Sequence, residues 1–64
     1  MKLYEVKPHT RIRVLDNISV PPAAPPINKG DELLFSHIDG MYSTCFNGSV
    51  RVYLGASAEV EIIE

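Results

Sequence analysis

From residue 10 onward the chain alternates apolar and polar residues with a period of two, and turn dipeptides cut that alternation into short pieces. Thr10-Arg-Ile-Arg-Val-Leu15 sets Ile12 and Val14 on one side and Arg11 and Arg13 on the other. Strict alternation of this kind predicts a half-buried strand. Residues 32–38 place Leu33 and Phe35 on one face, and Asp39-Gly40 follows as a hairpin signal. Residues 41–46 are the expected return strand, with Met41, Ser43 and Cys45 inward and Tyr42, Thr44 and Phe46 outward. Asn47-Gly48 predicts a second hairpin. Residues 50–54 direct Val50, Val52 and Leu54 inward and Arg51 and Tyr53 outward. Gly55-Ala-Ser-Ala58 breaks the pattern as a single helical turn, and residues 59–64 close with Val60 and Ile62 inward. No stretch has the 3.6-residue period of an ordinary helix. Five or six short strands in a chain this small predict an all-β fold, a small barrel or two packed sheets. A closed barrel is preferred because closure removes exposed edges.

One stretch obeys different rules. Residues 17–29 contain four prolines, Pro21, Pro22, Pro25 and Pro26, within six positions. Proline lacks an N–H and fixes φ, so neither a central strand nor a helix interior fits. The stretch reads as a long, polyproline-like loop. Its flanking Ile18, Val20 and Ile27 predict that its ends pack on the body of the domain. Loops of this length are usually functional or mobile.

At 64 residues there is room for one domain, spanning 1–64, with residues 1–9 as a leading strand or an arm. A single cysteine leaves no internal disulfide, and no Cys/His spacing suggests structural zinc. No apolar run approaches the length of a membrane span. The N-terminus lacks an apolar leader pattern. These features predict a cytoplasmic chain that needs no cofactor.

The net charge of −2 conceals an asymmetry. Residues 1–30 hold five basic and two acidic residues, and residues 31–64 hold one basic and six acidic. Lys2, Lys7, Arg11 and Arg13, with His9, could therefore meet phosphate on a nucleic acid. The simpler expectation is internal pairing. If the strand bearing Arg11 and Arg13 lies beside the one bearing Glu59 and Glu61, opposite charges meet across the ladder.

Lys29-Gly30-Asp31-Glu32-Leu33 opens a strand directly after the long loop. This segment resembles the diverging turn of the Src-homology-3 domain, and the order of parts from residue 10 to 64 is similar to that family. The long loop stands where the RT loop would be, Asp39-Gly40 where the n-Src loop would be, and Asn47-Gly48 at the distal hairpin. Ser57-Ala-Glu-Val-Glu-Ile-Ile63 resembles the closing segment. The resemblance implies an SH3-like small barrel of five to six antiparallel strands. It does not imply the family's proline-ligand groove. The five positions that grip such ligands fall on Leu15, Asn17, Tyr42, Ala56 and Glu59, of which only Tyr42 is aromatic. The chain also resembles small uncharacterised proteins encoded by tailed phages, which implies an accessory protein acting on a host or viral partner.

Catalytic constellations are not evident. His9 lies in a turn and His37 near a strand end, and neither has a partner at metal-ligand spacing. Cys45, alone and inward, reads as a small buried hydrophobe. Gly30, Gly40, Gly48 and Gly55 punctuate strands and lack phosphate-binding spacing. The sequence thus predicts a non-catalytic protein-interaction module. Tyr42, Phe46 and Tyr53 on the outward face, with Val20, Pro22, Pro25 and Ile27 from the long loop, are the expected contact residues, since exposed aromatics in a row mark interface cores. The alternatives are nucleic-acid binding through the basic N-terminal set and a self-associating structural subunit, a homo-oligomer.

Overall fold

A single antiparallel sheet of five strands, in the order β4-β3-β2-β1-β5, forms the frame of the computed structural model, which describes residues 1–63. The strands are β1 (Thr10–Asp16), β2 (Glu32–Asp39), β3 (Tyr42–Asn47), β4 (Val50–Gly55) and β5 (Glu59–Ile62). All five stand within one or two residues of the segments marked by alternation. The last expected strand position, Glu64, lies outside the described residues.

The inward faces build one core. Ile12, Val14, Leu33, Phe35, Cys45, Val52, Leu54 and Val60 are buried, and Ile18 and Val20 of the long loop pack against them. Ile27 joins the core at 7% exposure. Three expected inward residues lie outside it. Val50 and Ile62 sit at strand ends and are about half exposed. Met41 is 81% exposed because it belongs to the turn, not to β3. Asp39 pairs with Tyr42, so the two loop residues are Gly40 and Met41. Only Gly40 has a positive φ, +68°. The hairpin loop expected at Asp39-Gly40 is therefore shifted by one residue and has glycine first, as type II′ requires. The same one-residue shift occurs at Gly48-Ser49, where Asn47 pairs with Val50.

The leading segment is not a strand. Leu3–Glu5 forms a 3-10 turn, in which the Val6 N–H donates to the Leu3 carbonyl at 3.0 Å. Leu3 and Val6 are three residues apart, one 3-10 turn, and so share a side. Both are buried, whereas in a strand they would face opposite ways. The Leu3 N–H donates to the Ala58 carbonyl at 2.9 Å and the Tyr4 N–H to the Ala56 carbonyl at 3.0 Å. The Met1 carbonyl accepts from the Val60 N–H at 2.8 Å. Residues 1–6 thus lie along the turn that follows β4 and the start of β5. Among the described residues no ladder joins β4 directly to β5.

The long loop carries no regular element, as its prolines require. It is anchored at both ends. The Gly30 N–H donates to the Val14 carbonyl at 2.8 Å, the Val14 N–H to the Asp31 carbonyl at 2.9 Å, and the Gly55 N–H to the Ser19 carbonyl at 2.7 Å. Its middle is less extended than expected. The Ala24 N–H donates to the Pro21 carbonyl at 3.2 Å around Pro22-Ala23, with Ala23 at φ +63°. Proline followed by a positive φ is the pattern of a type II turn.

Candidate functional site

The outward face of the sheet is where the polar half of each alternating strand collects. Two irregularities decide which residues meet there. In β2 the register to β3 slips between Phe35 and His37, so Ser36 is an extra residue. A bulge of this kind turns the following side chains over. Without it, His37 and Asp39 would follow Leu33 and Phe35 inward. With it, His37 faces Thr44 and Asp39 faces Tyr42 on the outer side, while Ile38 is opposite the buried Ser43. In β4 the residue opposite Tyr42 is Gly55, which offers no side chain. The space beyond it is taken by Ser19 of the long loop.

These placements leave a depression of about 250 Å³ lined by Pro21, Asp39, Tyr42, Ser43, Thr44 and Tyr53. Tyr42, Thr44 and Tyr53 are half-buried, and Tyr53 stands directly opposite Thr44. The walls are two aromatic rings and a proline ring, and Asp39 is the one charged lining residue. Ligand pockets usually enclose roughly 300–1,000 Å³. This depression is smaller and open, a size for one side chain of a partner. Tyrosine faces attract cations and apolar groups alike. A carboxylate at the rim adds a preference for positive charge.

Of the expected contact residues, Tyr42 and Tyr53 meet here and Phe46 does not. Phe46 lies at the other end of β3, opposite Leu34 on one side and Arg51 on the other. It lines a second depression of about 300 Å³ with Arg11, Glu32, Leu33, Leu34 and Gly48. The loop residues divide as well. Val20 and Ile27 are turned toward the core. Pro22 and Pro25 are exposed and line neither depression. Pro21 and Asp39 line the pocket although nothing in the sequence singled them out. Asp39 read as a turn residue, and its position depends on a bulge that alternation does not reveal.

The basic N-terminal residues are largely matched by carboxylates. Arg13 stands between two strands, with Nη1 2.7 Å from Glu61 Oε2 and Nη2 3.2 Å from Glu32 Oε2. Those hydrogen bonds raise the guanidinium above its ordinary pKa. Lys2 Nζ is 2.8 Å from Glu59 Oε1, which raises the lysine and lowers the glutamate. Arg11 Nη2 is 3.8 Å from Glu32 Oε1. Lys7 has no carboxylate within ion-pair distance among the described residues. The charges therefore meet across the β1–β5 and β1–β2 ladders, as internal pairing predicts.

Cys45 is fully buried, with its sulfur 3.4 Å from the Ser43 hydroxyl oxygen. Burial pushes the thiol up. Ser43 in turn donates to the Leu54 carbonyl at 2.9 Å, which satisfies a buried hydroxyl. His37 is exposed, its Nδ1 3.0 Å from Ser36 Oγ, and His9 occupies a turn at φ +66°. The His9 backbone N–H donates to the Phe35 carbonyl at 2.7 Å, so both histidines lie at the same end of the β1–β2 ladder, but their side chains share no hydrogen-bond partner among the described residues.

Compared with family models, with curated proteins and with solved structures, the chain matches none.

Proposed function

We propose that this chain is a non-catalytic protein-interaction module with SH3-like architecture, and that its pocket receives a cationic or apolar side chain from an extended partner segment. The strand order β4-β3-β2-β1-β5, the long loop between β1 and β2, and the tight turn before β5 support the architecture. In this reading residues 1–6 cover the β5 side of the gap between β4 and β5.

The observation that carries the function is convergence. Tyr42 and Tyr53 come from two strands, Pro21 from the long loop and Asp39 from beyond a bulge, and all four line one depression. Half-buried tyrosines in a concave setting are the kind of surface from which binding anchors are drawn. The nucleic-acid reading loses ground, because Arg13 and Lys2 already satisfy nearby carboxylates.

The test is selection from a displayed peptide library, followed by affinity measurement against Tyr42→Ala and Tyr53→Ala. Enriched peptides should carry Arg or Lys beside an apolar residue. Loss of one anchor should weaken binding by about 2 kcal/mol or more. Affinity should persist at raised salt, whereas binding to several phosphates would fall by orders of magnitude between about 50 and 200 mM. Enrichment of acidic peptides, or affinities unmoved by both tyrosine variants, would refute the reading.

A further inference from the structure

The two outer strands of the sheet are protected unequally. β5 is covered by the N-terminal segment, where Met1 exchanges two hydrogen bonds with the Val60 backbone at 2.8 and 3.0 Å. β4 has two bonds on its open side, both at Gly55, whose N–H donates to the Ser19 carbonyl at 2.7 Å and whose carbonyl accepts from the Ala58 N–H at 3.0 Å. In an antiparallel ladder the N–H and C=O of a given residue point the same way, and successive residues alternate. The bonds at Gly55 therefore identify 51, 53 and 55 as the edge-facing residues of β4. Arg51 and Tyr53 present two donors and two acceptors along that edge, and among the described residues no backbone group pairs with them. Beyond the Ser19 contact and the single charge of Arg51, the edge has little of the usual protection. β4 keeps regular register throughout and contains no proline, lysine or inward charge.

We propose that this edge is a self-association surface, on which β4 of a second copy pairs antiparallel about a two-fold axis at Val52. The register follows from the residues themselves. An axis at Arg51 would set two like charges directly opposite each other, which is unfavourable. An axis at Tyr53 would place Arg51 opposite Gly55, whose N–H is already held by Ser19. An axis at Val52 sets Arg51 opposite Tyr53 twice. All four edge groups of each copy are then used, and the bond to Ser19 is kept. The two side chains share the outward face, so each guanidinium lies beside the partner's phenol ring, a favourable cation–aromatic pairing. Arg51 suits this role because it is exposed and has no carboxylate within ion-pair distance among the described residues. The paired stretch is short, ending at the Gly48-Ser49 turn on one side and at Ser19 on the other. Association is therefore weak and depends on concentration. The surface is separate from the Tyr42 side of the pocket, although Tyr53 belongs to both.

Sedimentation equilibrium of the purified chain, from micromolar to millimolar concentration, tests the proposal. The average mass should climb from monomer toward dimer. Arg51→Pro removes an edge-facing N–H and leaves every β3–β4 ladder bond in place, a position where proline is tolerated. It should remain monomeric throughout. Arg51→Glu keeps the backbone intact, covers the case in which the proline variant does not fold, and should weaken the dimer about tenfold through loss of both ring contacts. Tyr42→Ala, which damages the pocket, should dimerise like the parent. A constant monomer mass would overturn the proposal. So would a dimer that both Arg51 variants leave unchanged, or one that Tyr42→Ala abolishes. Failure here leaves peptide binding at the pocket unaffected, so the two readings fall separately.

Discussion

Ser19 and Gly55 touch at the point where the long loop meets the sheet: the Gly55 N–H donates to the Ser19 carbonyl at 2.7 Å, and a Cβ added at 55 would stand 3.1 Å from the Ser19 Cβ and 3.4 Å from its carbonyl oxygen. Gly55 is buried and sits opposite Tyr42. One missing side chain thus lets the loop approach the edge and gives Tyr42 its open flank.

Gly55→Ala should therefore push Ser19 outward by a few tenths of an ångström. The expected cost is about 1 kcal/mol, at the low end for added volume in a packed site. Gly55→Val should cost more. Urea unfolding measures both, and amide exchange at Gly55 and Ala56 should rise first. Unchanged stability in both variants would show that the loop does not depend on this contact.

Leu3 is fully buried although it precedes every strand. Leu3→Ala should destabilise the fold by about 2–4 kcal/mol through lost burial and the cavity left behind. Tyr4, exposed on the same turn, is the control, and Tyr4→Ala should change little. Equal midpoints for the two variants in urea would mean that residues 1–6 are a dispensable arm.

Ala23 holds a positive φ of +63° in an exposed turn. A left-handed conformation costs an L-residue roughly 1–2 kcal/mol, and glycine escapes that cost while losing more entropy on folding. Ala23→Gly should stabilise the protein by up to about 1 kcal/mol. A thermal melt reads the sign, and a lower midpoint would refute the turn.

Two carboxylates sit below their ordinary pKa. Asp16 accepts from the Asn17 backbone N–H and lies near Lys29, and Glu59 accepts from Lys2 and the N-terminal ammonium. As pH falls, the unfolded chain takes up these protons before the folded one. Their contribution to stability is full above the ordinary carboxylate range and is lost as pH drops through the lowered folded values. Lys2 is raised by the same pair, so its share is present below the ordinary lysine range and is lost as pH rises through the folded value. Stability against pH should show a plateau with an acid limb. Glu59→Gln should make that limb shallower and remove the alkaline loss at Lys2.

Strand positions were legible because burial of one face imposes a period of two, and glycine turns are written into the chain. Arg13 opposite Glu61 was legible for the same reason, since outward residues of neighbouring strands must meet, whereas Glu32, which joins them from β2, read only as the start of a strand. The bulges were not. Ser36 and Leu15 are each an extra residue in one strand, and nothing in their own chemistry announces it. The Ser36 bulge alone carries Asp39 to the outer face, so half of the pocket's character was hidden. The leading segment misled for a different reason. Leu-Tyr-Glu-Val fits alternation poorly but has β-favouring residues, and the three-residue spacing of Leu3 and Val6 was the better signal. Phe46 fell outside the pocket because sharing a face does not mean sharing a depression.

The N-terminal turn has a consequence for the order in which the domain comes together. Residues 1–6 find their partners at Ala56, Ala58, Glu59 and Val60, far along the chain. Until those residues are in place, Leu3 has no site to occupy. The hairpins that join β2 to β3 and β3 to β4 close short loops, whereas the contacts of the N-terminal turn close a very long one, which is slower and costs more entropy. Sealing the core at Leu3 is therefore a late step that waits on the rest of the sheet.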